Sequence, residues 1–401
     1  MHNNQPAPFR SEVIGTSHLG QPLNLRIYGP ASRPLRVFVI CGQHGDERAI
    51  RKALRHFLEE HAPTLSRSIP FLQLAVLADA NPDGLAARTR ANAQGIDLNR
   101  DHVQLRAPET RAIHEFIRSW RPHLVVDLHN YPSRRKHLVD QRLRLGWDVC
   151  LEIPTTPAAG CSAEQPPFAN LFECLNRVSH KAGFHFGRYG LFGADGSFRH
   201  GTPLLGDARN TLTLRYEVPT LLLEVRNPSR SDLPPDRHLL RTAVAATLWE
   251  IALWAVREAK HLLEFELPSN PGTRVPYSFR RRPALEGKLP VRHLDNGTLS
   301  FLPLARDRRK IQARRHRSLP PSYSLHPYQW QALELLQAHG YQFTKAPQCS
   351  CWEVSLSQVG GRLLALLLDQ DSPYSLRRRQ PEAASSNMSG NQVISGEICH
   401  D

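Results

Sequence analysis

The chain has 401 residues, 40% of them hydrophobic, and 51 Lys and Arg outweigh 37 Asp and Glu to give a net charge of +14. That length implies two or three domains and that composition supports a substantial core. No run approaches the roughly 18 uninterrupted apolar residues of a membrane helix, the opening MHNNQPAPFRSEVIG lacks the apolar stretch of a signal peptide, and seven irregularly spaced cysteines fit a reducing cytoplasm better than a disulfide framework.

Residues 36–41 (RVFVIC) predict a short buried strand closed by Gly42. Residues 47–58 predict a helix with Ala49, Ile50, Leu54, Phe57 and Leu58 on its apolar side. A second strand over 71–78 is broken by the turn Asn81-Pro82-Asp83-Gly84. A helix then runs from Pro108, a proline suited to a first turn, to about Trp120. Residues 124–128 predict a third strand, 221–225 a fourth behind Pro219, and 243–258 a helix rich in Ala, Leu and Trp. Strands alternating with helices imply an α/β sheet covered on both faces. Ligands in such folds gather beyond the carboxyl ends of the strands. The pattern divides the chain into a catalytic unit over 10–262, a basic Pro-rich linker over 263–320, a small α+β module over 321–370, and a polar, disordered tail over 371–401.

The charge is concentrated. Residues 274–317 carry 13 Lys and Arg against Glu286, Asp295 and Asp307. Such a stretch suits nucleic acid or another polyanion. With only Tyr277, Phe279 and Phe301 to interleave, it reads better as a solvated linker. The pair Cys349 and Cys351, with no second pair nearby, is a poor zinc motif.

Four short segments carry the chemistry. His44 and Glu47 follow the first strand on a loop with Gly42 and Gly45. An imidazole and a carboxylate three residues apart can close on one Zn²⁺ and leave a position open for a third ligand. His129, at the end of the third strand, is the candidate third ligand. His123 lies at the wrong rim, and His102 and His114 are bystanders. Asp97 is placed to accept the free N–H of a ligating imidazole. Asn99 and Arg100 suit a substrate carboxylate, and Arg90 suits an oxyanion. Glu224 interrupts an apolar strand, where a carboxylate needs a partner or a task. Desolvation would raise its pKa toward that of a general base. The alternatives are an ion pair with Arg226 or Arg215, or Glu217 as the base.

In sum these motifs resemble the zinc carboxypeptidase family, the carboxypeptidase A-like metallopeptidases, and within it the compact bacterial members. The likeness runs through Glu12-Val13-Ile14-Gly15-Thr16-Ser17, His44-Gly45-Asp46-Glu47, Asn81-Pro82-Asp83-Gly84, the eleven residues 90–100, Asp127-Leu128-His129-Asn130 and Leu221-Leu222-Leu223-Glu224. It implies a three-layer α/β/α fold around a mixed, mostly parallel sheet, followed by the small α+β module. It also implies one Zn²⁺ held by His44, Glu47 and His129, Arg90 on the scissile carbonyl, Asn99 and Arg100 on a terminal carboxylate, and Glu224 as base. The short interval from Gly84 to Arg90 is similar to that of murein peptide amidases. The sequence departs from the family in Asp101-His102, where an extra carboxylate would sit beside Arg100. It also departs in lacking a clear substrate-capping Tyr, with Tyr189 and Tyr216 in the right interval, and in a long 131–215 segment carrying Arg134-Arg135-Lys136.

The expectation is therefore a cytoplasmic, zinc-dependent metallopeptidase acting on a substrate with a free carboxylate, with no membrane partner. Two alternatives remain open: an N-acyl amino acid deacylase of the succinylglutamate desuccinylase or aspartoacylase type, and a non-enzymatic protein that binds polyanions through 274–317.

Overall fold

A computed structural model describes residues 9–192, 197–228, 237–283, 287–304, 307–347 and 349–376. The tail expected over 371–401 lies, from 377 onward, outside the described residues. The strands of the first part are β1 (Arg10–Thr16), β2 (Pro22–Tyr28), β3 (Leu35–Cys41), β4 (Leu72–Leu77), β5 (Leu124–Tyr131), β6 (Leu143–Leu145), β7 (Val149–Glu152), β8 (Phe186–Arg188), β9 (Gly190–Phe192), β10 (Phe198–His200) and β11 (Thr220–Arg226). Eight of them form one sheet in the order β1-β2-β4-β3-β5-β11-β7-β8. Its centre is parallel, with β4, β3, β5 and β11 running together. Antiparallel β1 and β2 close one edge, and β7 turns antiparallel against β11. This is the mixed, mostly parallel α/β sheet that the sequence implies.

Alternation along each strand sorts the residues between two layers. On one face Val37, Val39, Leu124, Val126, Leu128, Leu221, Leu223 and Val225 join a core with the helices Arg48–Glu60, Phe168–Ala182 and Arg237–Arg257. The last of these is long and apolar enough to cross a membrane by length and composition. Here it packs on the sheet, with Val244, Leu248, Ile251 and Trp254 buried. On the other face Phe38, Ile40 and Val125 meet the helices Pro108–Trp120 and Ala208–Tyr216. Continuing two residues at a time, that second face presents Asp127 and His129 on β5 and Leu222 and Glu224 on β11. Glu224 lies in register with His129.

The basic stretch is not an open linker. Arg274–Arg282 pairs with Lys310–Ser318, and Lys288–His293 pairs with both Leu299–Pro303 and β6 of the first part. The physical reason is a period-two pattern beneath the charge. In Lys288–His293, Leu289 and Val291 are buried, while Lys288 is exposed and Pro290 and Arg292 are half-buried on the other face. The following residues form a three-stranded sheet from Ser322–Leu325, Thr344–Lys345 and Trp352–Ser355, with the helices Trp330–Ala338 and Gly361–Leu368. Their core is shared with the first part, because Leu363, Leu364 and Leu367 cluster with Val103, Ala158 and Leu214.

Candidate metal centre

Where β3 ends, Gly42 takes φ 76°, a conformation that glycine adopts without strain. The chain then turns through Gln43, His44, Gly45 and Asp46 before the helix Arg48–Glu60. This loop lies against the segment read as a turn at Asn81–Gly84. That segment instead starts a short helix, Pro82–Ala87, with Asn81 as its cap. Asn81 accepts from the Gly84 N–H at 2.8 Å and donates to the Gln43 carbonyl at 3.1 Å. A Cβ on Gly45 would fall 2.0 Å from the Gly84 carbonyl carbon, so only glycine allows the two backbones to touch. The Asn-Pro-Asp-Gly segment is thus a brace for the loop that carries His44 and Glu47.

The ligating atoms of His44, Glu47 and His129 all lie within 4.8 Å of one another. His44 Nδ1 is 2.7 Å from Glu47 Oε1, and His129 Nδ1 is 3.1 Å from both Glu47 Oε2 and His44 Nδ1. The far nitrogens are also held: His44 Nε2 is 3.0 Å from Asp97 Oδ1, and His129 Nε2 is 2.9 Å from Asp127 Oδ2. Two imidazoles that converge through one nitrogen and meet a carboxylate through the other form the arrangement a zinc ion requires. The residues fit the metal.

Electrostatics agree with that fit. Burial opposes charge on Glu47, yet His129 and His44 hold its carboxyl well below the usual range. Burial likewise opposes charge on His129, but Asp127 and Glu47 keep its imidazole well above its usual value. The site is therefore built to attract a cation. Asp97 is also held low, since His44, Arg90 and Arg100 outweigh its burial.

Arg90, half exposed, donates through Nε to Asp97 Oδ2 at 2.9 Å and brings Nη1 to 3.8 Å from Glu47 Oε1. Arg100 is exposed and donates to the Asn99 carbonyl at 2.6 Å. Asn99 is turned inward rather than out to form a fork with Arg100. Its Nδ2 is 3.0 Å from His129 Nε2 and its Oδ1 accepts from the Ala208 N–H at 2.8 Å. Asp101 also turns away from Arg100 and accepts from the N–H groups of Arg106 and Ala107.

Glu224 is 7% exposed, and among the described residues its Oε2 has no hydrogen-bond partner. An unmet buried oxygen costs about 1–3 kcal/mol, which favours a waiting role over a structural one. Burial pushes its pKa up to about 7, with His129 pulling it down and Glu47 pushing it further up. The candidate partners are engaged elsewhere: Arg226 with Asp148 at 3.1 Å, and Arg215 with the His339 carbonyl. Glu217 lies away from the site and accepts from the Gly360 N–H at 3.0 Å. Tyr216 is bonded to His114 at 2.9 Å. Tyr189 is buried against Tyr131.

Sequence reasoning missed the support behind His129. Asp127 also accepts from Gln43 Nε2 at 2.7 Å; Gln43 Oε1 lies 2.8 Å from His102 Nε2, and His102 Nδ1 lies 3.1 Å from His114 Nε2. The signal available was the i, i+2 spacing of Asp127 and His129, which puts both on one strand face. His102 and His114 are not ligands, but they belong to this chain.

The model of the zinc carboxypeptidase family matches residues 1–135, about a third of the chain. It is similar to probable carboxypeptidase 2 of Trichophyton verrucosum, at 33% identity over 115 residues, 28% of this chain and 22% of the relative. It is also similar to murein peptide amidase A of Escherichia coli, at 36% identity over 94 residues, 23% of this chain and 36% of the relative. The match thus spans about a fifth of the length of the fungal carboxypeptidase. A metallo-carboxypeptidase structure from Burkholderia cenocepacia superposes with a TM-score of 0.49 at 18% identity, covering 63% of this chain and 67% of that one.

Proposed function

We propose that this chain is a zinc-dependent hydrolase of amide bonds, of the metallocarboxypeptidase or peptide-amidase type. The observation that carries the reading is the convergence of His44, Glu47 and His129 in register with a buried, unpartnered Glu224. Bound to those three ligands, zinc supplies a more acidic water and a polarised carbonyl.

The chain's own residues do the rest. Asp97 and Asp127 fix the two imidazoles. Glu224 accepts a proton from the attacking water and returns it to the leaving amine, a role suited to its raised pKa. Arg90 meets the negative charge that develops on the carbonyl oxygen. Arg100 holds the terminal carboxylate of the substrate, while Asn99 donates to Asp127, the carboxylate behind His129, at 3.4 Å. The six described cysteines are all free, which is consistent with the reducing cytoplasm expected from the sequence.

The test begins with the metal content of purified wild type beside His129→Ala. One zinc per wild-type chain and none in the variant is expected, and a wild type that takes up no zinc on reconstitution refutes the reading. A panel of short peptides against N-acyl amino acids then separates a peptidase from a deacylase. Cleavage confined to acyl amino acids would favour the latter. Salt-sensitive DNA binding that survives zinc removal would reveal a separate role for the basic strands.

A further inference from the structure

Arg209 lies in the first turn of the helix Ala208–Tyr216, on the sheet face that carries His129 and Glu224. Its neighbour Ala208 donates to Asn99, which touches His129. The Arg209 side chain is 1% exposed. Its Nη2 donates to the Thr202 carbonyl at 2.8 Å and to Asp207 Oδ2 at 3.1 Å. Nε and Nη1 are buried without an acceptor. Asp207 pairs with one nitrogen of this cation and leaves the others unmet, because its second oxygen caps the helix through the Asn210 N–H. A guanidinium has five N–H donors, and burying it with two nitrogens unmet is unfavourable unless a further acceptor arrives.

A second cation points to the same place. Arg135, in the segment after β5, also has a buried Nε with no partner among the described residues. The buried hydroxyl of Tyr189 feels the charge of Glu224 and, with opposite sign, those of Arg135 and Arg209. The Tyr189 ring meets Tyr131, two residues beyond His129 on the same strand face, in a T-shaped contact at 6.2 Å. Cys150 and Leu222 complete the apolar wall. The base of the proposed reaction and two incompletely bonded guanidiniums thus all act electrostatically on one aromatic side chain.

We propose that Arg209, supported by Arg135, determines specificity by binding a carboxylate on the side chain of the amino acid released by cleavage. The substrate class is then a peptide or N-acyl amino acid that ends in an acidic residue. Arg100 takes the main-chain carboxylate and Arg209 the second one. This inference rests on the hydrolase reading and gives it a substrate.

The zinc-loaded protein is assayed on N-acylated dipeptides ending in Glu, Asp, Leu or Lys. The acidic peptides should exceed the Leu peptide in kcat/KM by about tenfold or more, the scale of a charge-assisted hydrogen bond, and Lys should be poorest. Arg209→Met should bring that ratio close to one, and Arg209→Lys, which keeps the charge, should retain part of it. Calorimetry with L-glutamate and L-leucine reads the same pocket without turnover, and glutamate should bind more tightly in wild type but not in Arg209→Met. Equal cleavage of Glu and Leu peptides overturns the acidic pocket and leaves the hydrolase standing. Absence of cleavage with selective glutamate binding that Arg209→Met abolishes refutes the hydrolase and keeps the pocket. Absence of both refutes both. Should Arg209→Met fail to fold, the wild-type ratio and Arg209→Lys decide.

Discussion

Glu224 and His129 face each other across two parallel strands and are driven in opposite directions. Burial pushes the carboxyl up to about 7, while Asp127 and Glu47 raise the imidazole well above its usual value. Two outcomes follow at this scale. Replacing Glu224 by Gln preserves shape and the zinc ligands, so zinc content should stay at one per chain while kcat falls by about 10²–10⁴-fold, the usual contribution of a general base. Equal turnover in that variant would remove Glu224 from the mechanism. A base must be ionised, so kcat/KM should rise with pH along an acid limb whose midpoint is at or below about 7, since a bound cation lowers a nearby carboxyl. The second outcome concerns the metal. Zinc competes with a proton for the raised imidazole of His129, so its affinity should increase with pH and binding should release a proton. Calorimetry in buffers of different ionisation enthalpy counts that proton directly; a pH-independent affinity would contradict the arrangement around His129.

The elements show how far a sequence can be read. The strands over 36–41, 71–78, 124–128 and 221–225 were legible because each is a short apolar run, and each is present as β3, β4, β5 or β11. The structure brings His44, Glu47 and His129 together at their ends. Less legible were features that depend on contact between distant segments. Asn99 looked like a substrate ligand beside Arg100, and only the approach of Ala208, far along the chain, shows that its amide is engaged inside. The basic strands looked like linker because their charges masked the alternation of Leu289 and Val291. The Asn81–Gly84 segment was recognised as a chain reversal, but its role as a brace depends on the approach of Gly45 to Gly84. That approach makes a prediction. Gly45→Ala inserts a methyl where backbone already lies, so it should destabilise the protein by about 1–3 kcal/mol in urea unfolding and weaken zinc binding as well. Unchanged stability and zinc affinity would mean that the loop is not braced.

At the scale of the molecule, no clean boundary separates the first 262 residues from the rest. Leu367 and its neighbours share a core with Leu214, Arg215 bonds the His339 carbonyl, and β6 pairs with Lys288–His293. Leu367→Ala should therefore cost about 2–5 kcal/mol and weaken the zinc site together with the C-terminal part, in one transition. Two well-separated urea transitions would show that the parts are independent.

The buried imidazoles of His102, His114 and His339 form one cluster, with ring centres 5.3 Å and 5.5 Å apart. Burial depresses all three, His102 and His339 to about 4. A histidine held neutral in the fold stabilises it above the ordinary imidazole pKa, and that stabilisation drains away as pH falls from about 6.5 toward 4. The urea midpoint should accordingly drop steeply between pH 7 and pH 5, and His102→Gln should flatten the slope. Acid would then dismantle this molecule from within, after Glu224 has already lost its charge. A copy delivered to an acidified vesicle would be ready for degradation, and its working life would end wherever the surroundings turn sour.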